Sequence, residues 1–93
     1  MQRVSFRVRI EGRVQGVWYR GWTLEQARRR GLAGWVRNRA DGSVEALFCG
    51  PETLVQDIIA ACREGPPGAV VTAVSVDPAP FPDGDGFHQW PTI

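Results

Sequence analysis

The chain has 93 residues, 43% hydrophobic and 23% charged; that length suits one compact domain rather than two, and that composition argues against disorder. All eleven basic residues are arginine; ten lie in residues 1–39 beside only Glu11 and Glu25, while residues 40–93 hold Arg63 and eight carboxylates. The formal net charge of +1 excludes a polybasic nucleic-acid binder, yet the first part of the chain is able to receive an anion.

Residues 4–11 alternate, with Val4, Phe6, Val8 and Ile10 on one side and Ser5, Arg7, Arg9 and Glu11 on the other, which predicts a half-buried strand. Residues 12–19 carry glycines at 12 and 16 and read as a loop. A helix is expected over 20–30, with Leu24 and Ala27 inward and Gly31 as its stop. A second strand follows at 32–38, a hairpin turn at Asp41-Gly42, and a third strand at 43–49 that pairs antiparallel with the second. Pro51 reads as the first residue of a second helix. There Leu54, Ile58, Ala61 and Cys62 are spaced for one buried stripe, with Val55 and Ile59 beside it. Gly65-Pro66-Pro67-Gly68 ends that helix, and the β-branched run 70–76 predicts a fourth strand. The tail is rich in Pro, Asp and Gly, with a short edge strand expected at 87–90.

The order β-α-β-β-α-β implies an α+β, ferredoxin-like split β-α-β sandwich, an antiparallel sheet with both helices on one face, in a single domain over residues 1–93. Strand parity leaves Arg7, Arg9, Trp35, Arg37, Glu45 and Asp77 on the other, open face, where mixed charges make a solvated surface. Arg28, Arg29 and Arg30 read as the exposed last turn of the first helix. No apolar run approaches the roughly 20 residues needed to span a bilayer. The start Met1-Gln2-Arg3 leads straight into alternation, without a signal-peptide pattern. The expectation is a cytoplasmic protein.

Chemistry is bounded by what the chain lacks. Without lysine there is no Schiff base and no Walker-type phosphate lysine. A lone His88 supports neither a His-rich metal site nor a Ser-His-Asp triad. Cys49 and Cys62 fit no disulfide framework or zinc spacing and read as structural thiols. Two stretches remain. Gly12 to Arg20 joins a strand to a helix, where backbone N–H groups and the helix N-terminus make an anion cradle, although such glycines equally serve a plain turn. Arg20, at the helix start, offers a planar fork of donors that matches two phosphate oxygens. Gly31 to Glu45 places Asn38 at the end of a strand, where asparagine is ordinarily a turn residue.

Together the two stretches resemble the acylphosphatase family. Gly12-Arg13-Val14-Gln15-Gly16-Val17-Trp18-Tyr19-Arg20 matches the family pattern G-x-V-Q-G-V-x-[FY]-R, and Gly31 to Val44 matches G-L-x-G-W-V-x-N-x-x-D-G-x-V. Residues 65–71 resemble its G-P-x-x-A-x-V segment, and the likeness covers about residues 4–77. Tyr19 replaces the commoner phenylalanine, Trp18 fills a variable position, and the tail matches weakly.

The resemblance implies hydrolysis of acyl phosphates to a carboxylate and inorganic phosphate. Arg20 would bind the phosphate, Asn38 would position water, and the backbone N–H groups of Gln15, Gly16, Val17, Trp18 and Tyr19 would hold phosphoryl oxygens. It implies a small-molecule substrate and no metal or other cofactor; a monomer is the default, with no membrane or nucleic-acid partner. The indole of Trp18 either meets the acyl group or covers the loop; Trp22, Trp35 and Trp90 read as packing residues. The rival is a non-catalytic binding module on the same fold, RNA-binding or regulatory. The third strand, Val44-Glu45-Ala46-Leu47-Phe48-Cys49, lacks the basic-Gly-aromatic pattern of RNA-recognition domains.

Overall fold

The computed structural model describes residues 2–93. In chain order the elements are β1 (Arg3–Arg13), α1 (Tyr19–Arg29), β2 (Ala33–Asn38), β3 (Val44–Pro51), α2 (Glu52–Cys62), β4 (Val70–Pro78) and β5 (Phe87–Gln89). The sheet order is β4-β1-β3-β2-β5. Neighbours β4, β1, β3 and β2 are antiparallel, while β5 runs parallel to β2, so the sheet is mixed rather than wholly antiparallel. The cause lies in residues 79–86, which carry the chain from the β4 edge to the β2 edge. No hairpin turn sets the direction of β5.

The alternating pattern places Val8, Ile10, Val36, Val44, Ala46 and Phe48 beneath the helices, all fully buried. From α2, Val55, Ile58, Ile59 and Cys62 complete the core, with Leu54 packed at its margin. Burying each large apolar side chain stabilises the fold by about 1.5–3 kcal/mol. Both cysteines are buried free thiols, and burial pushes the Cys62 thiol up to about 12. Tyr19, the first residue of α1, is buried, and its hydroxyl donates to the Cys62 carbonyl. That bond ties the start of one helix to the end of the other. Burial pushes the phenol well above its ordinary range.

Several local expectations change. β1 runs to Arg13, so the loop before α1 is shorter than the glycine spacing suggested. Gly12 belongs to the sheet rather than to the loop: it pairs with Val71 beside an irregularity in register, and a Cβ there would lie 2.1 Å from the Val70 carbonyl oxygen. Pro51 is not the first residue of α2 but the last of β3, with ψ 136 in the N-cap position. Its fixed φ serves extended backbone as readily as a first helical turn.

The open face is only partly open. Residues 79–86 cross past its lower end. Ala79 N–H donates to the Ser5 carbonyl at 3.0 Å, and the Ser5 hydroxyl donates to the Pro80 carbonyl at 3.1 Å. Ser5, Leu47 and Cys49, on the same face, are buried. The segment also borders a cavity of about 360 Å³ between Leu47, Phe81 and the stacked rings of Trp35 and Trp90, 4.6 Å apart.

Glu45 was expected on a solvated surface, yet its side chain is only 7% exposed. Arg37 Nε lies 2.8 Å and Arg39 Nη1 3.1 Å from Glu45 Oε1, with Arg7 Nε 3.9 Å from Oε2. Burial works to raise the carboxyl pKa, but hydrogen bonds and charge from Arg37 and Arg39 outweigh it and hold the carboxyl below its ordinary range. Arg28 and Arg30 are likewise not free: Arg28 donates to the Phe87 carbonyl at 3.0 Å and Arg30 to Asp57 at 2.8 Å.

Candidate active site

The loop between β1 and α1 enters the helix through two left-handed residues, Gly16 at φ 75 and Trp18 at φ 67. Glycine adopts this conformation freely and tryptophan does not. Trp18 occupies the N-cap position, and its carbonyl accepts the Trp22 N–H at 3.0 Å. No side chain caps α1, and its first turn holds no acidic residue. Its first N–H groups and positive dipole end are therefore uncompensated from within the helix. The second helix differs, with Glu52 in its first turn.

Asn38 reaches the same place from the end of β2. A cavity of about 180 Å³ is lined by Val14, Gln15, Gly16, Trp18, Tyr19, Arg20, Gly21, Asn38 and Gln89. Arg20 and Asn38, far apart in sequence, thus share one cavity. Of the expected loop, Gln15, Gly16, Trp18 and Tyr19 also line it. Val17 does not; its side chain packs against the core. Among the described residues, neither the Arg20 guanidinium nor the Asn38 carboxamide has a hydrogen-bond or ion-pair partner.

The loop is held to the β2–β3 turn by one side chain. Gln15 Nε2 donates to the Arg39 carbonyl at 2.8 Å and the Ser43 carbonyl at 2.9 Å. The turn is closed by Asp41, which accepts from the Ser43 hydroxyl at 2.6 Å and the Ser43 N–H at 2.9 Å. Those bonds, led by the hydroxyl, hold the Asp41 carboxyl below its ordinary range. The side chain of Gln15 thus ties the loop to the turn that follows Asn38.

Gln89 was not foreseen. It lies opposite Val36 in the parallel β2–β5 pairing, on the face that Phe87 buries in the core. The tail matches no motif, so only alternation along 87–90 could have pointed to it. Among the lining residues the only titratable side chains are Tyr19 and Arg20. Among the described residues, no group of three or more His, Cys, Asp or Glu side chains is placed to hold a metal ion.

A ferredoxin-like domain with a cavity at the N-terminus of its first helix defines the class. A family model described as acylphosphatase matches residues 6–89. The acylphosphatase of Rhodospirillum rubrum is 62% identical over 86 residues, 92% of this chain and 94% of that protein. Among solved structures, the acylphosphatase from Bacillus subtilis superposes with a TM-score of 0.88 at 40% identity, covering 94% of this chain and 98% of that one. The acylphosphatase from Coxiella burnetii gives 0.90 at 31% identity, covering 95% and 93%. The chain belongs to the acylphosphatase family. Its activity is the hydrolysis of acyl phosphates, and none of these likenesses favours an RNA-binding or regulatory module.

Proposed function

We propose that this hydrolysis takes place in the 180 Å³ cavity, with Arg20 binding the phosphoryl group and Asn38 holding the attacking water. The N–H groups of Gln15, Gly16, Val17, Trp18 and Tyr19 form the cradle for the phosphoryl oxygens. The protein acts as a monomeric single domain in the cytoplasm, with no metal or other cofactor. Its partners are the acyl phosphate and the inorganic phosphate it releases. The observation that carries this reading is the meeting of two unpartnered side chains, Arg20 and Asn38, in one cavity.

Leaving-group chemistry explains why so spare a cavity suffices. Asn38 is a neutral amide and can orient water but not take its proton. Tyr19 is engaged at its hydroxyl by the Cys62 carbonyl and is held neutral by burial. The cavity walls therefore supply neither a general acid nor a general base. An acyl phosphate expels a carboxylate whose conjugate acid has a pKa near ~4, so departure needs no protonation. What remains is to neutralise phosphoryl charge and to set the water in line, the chief demands of phosphoryl transfer. Asn38 places the water, Arg20 and the cradle hold the equatorial oxygens, and a phosphoryl oxygen of the substrate accepts the water's proton.

The test is phosphate release from acetyl and benzoyl phosphate by the wild type beside Arg20→Ala. Near-normal hydrolysis by the variant would overturn the assignment. An essential enzyme base titrating near neutrality in the pH–rate profile would overturn the substrate-assisted step.

A further inference from the structure

Resting on that reading of the cavity, we infer that the Trp18 indole is the acyl-group subsite, and that it selects aromatic or bulky apolar acyl phosphates over acetyl phosphate. The four tryptophans divide by what they touch. Trp35 stacks on Trp90 at 4.6 Å, and Trp22 meets the Tyr19 ring edge-on at 5.4 Å. Trp18 alone has no aromatic or cationic partner among the described residues, and it is 60% exposed. It is also the sole non-glycine residue among them with positive φ, at 67. A bulky residue is costly in that conformation. Core burial does not offset the cost, because the ring stays in solvent at the mouth of the cavity.

The ring nonetheless rests on the helix on one side. It lies against Gly21, where a Cβ would fall 2.1 Å from the indole Nε1. Any side chain at position 21 would displace it. Gly21 and Trp18 both line the cavity, and of its two lining aromatic rings Trp18 is the exposed one, Tyr19 being buried. In-line displacement sets water and leaving group on opposite sides of phosphorus. With Asn38 holding the water, the departing carboxylate leaves on the side away from Asn38. The acyl group extends out of the phosphoryl cavity, where the exposed Trp18 ring is the aromatic surface available to it. An aromatic acyl group gains ring contact there, whereas a methyl group covers little of it.

The experiment compares kcat/KM for benzoyl and acetyl phosphate in the wild type, Trp18→Asn, Trp18→Phe and Arg20→Ala. Asparagine tolerates the left-handed conformation, so Trp18→Asn keeps the backbone while removing the ring. The benzoyl-to-acetyl ratio should fall about five- to tenfold in Trp18→Asn, and Trp18→Phe should restore most of it. An unchanged ratio, with both substrates falling together, would overturn the inference and leave the side chain only a loop-shaping role. The Arg20→Ala arm separates the two readings. If that variant still hydrolyses both substrates, the cavity assignment itself is wrong, whatever the Trp18 ratio shows.

Discussion

On the open face of the sheet, Arg7, Arg37 and Arg39 converge on Glu45, and Arg9 and Arg39 reach Asp41. Across the sheet, Arg20 stands in a cavity whose walls hold no carboxylate. The first group is denser in positive charge, yet its donors are turned toward protein carboxylates. An incoming anion would have to displace a partner already in place. At Arg20 the donors face only the cavity, and an uncapped helix N-terminus adds to their field. On the proposed reading, anion recognition at Arg20 follows from the absence of a competing acid, not from the number of arginines. Among the described residues, Arg13, Arg20, Arg29 and Arg63 have no side-chain partner, and of these four only Arg20 lines the cavity.

This contrast is most sharply broken by removing the guanidinium that lines the cavity. Arg20→Ala should lower kcat/KM for acetyl phosphate by about 10³-fold or more, and Arg20→Lys should recover little, because a point charge lacks the bidentate fork. Phosphate-release kinetics read both. Next comes Asn38→Ala, which should cut kcat by about 10²-fold while the inhibition constant of inorganic phosphate moves less than about twofold. Equal losses in both would make Asn38 a fold residue. A smaller effect tests the contrast directly: Gln89→Glu sets a carboxylate on the wall of the cavity. Phosphate inhibition should weaken about tenfold at neutral pH, and the gap to wild type should close as pH falls through the ordinary glutamate range near ~4.3.

The smallest effect on catalysis belongs to the paired face. Glu45→Gln should leave kcat and KM for acetyl phosphate unchanged but lower unfolding stability at pH 7 by about 2 kcal/mol. The folded-state pKa of Glu45 lies below its unfolded value. Its contribution is therefore complete above the unfolded pKa and is lost as pH falls through the folded one. Denaturant titrations should show wild type and variant converging on acidification. A variant more stable than wild type at pH 7 would mean that the carboxylate is a net burden on the fold.

Local pattern carried the element order far. Alternation in residues 4–11 marks β1, and Asp41-Gly42 marks the β2–β3 turn. The link between Arg20 and Asn38 was legible only through the two motifs, because nothing in spacing brings a helix start to a strand end. Parity put Glu45 on the correct face but could not show it buried, since that depends on arginine stems from β1 and β2 closing around it. Gln89 and the crossing of residues 79–86 escaped for a related reason. A segment that travels from one sheet edge to the other is stabilised by scattered contacts, such as Ser5 with Pro80 and Arg28 with Phe87, which have no period. Gly12 misled by its own ambiguity: close approach to β4 and a loop conformation call for the same residue.

The buried thiols and the all-arginine cation set have a joint consequence for an enzyme of activated acyl groups. An acyl phosphate is an electrophile toward amines and thiolates as well as toward water. A guanidinium stays protonated and is a poor nucleophile at neutral pH, and no lysine side chain offers an amine. Cys49 and Cys62 are out of reach, and the Cys62 thiol resists ionisation. On the proposed reading, the charge that draws the substrate in is thus supplied by a side chain that the substrate does not acylate.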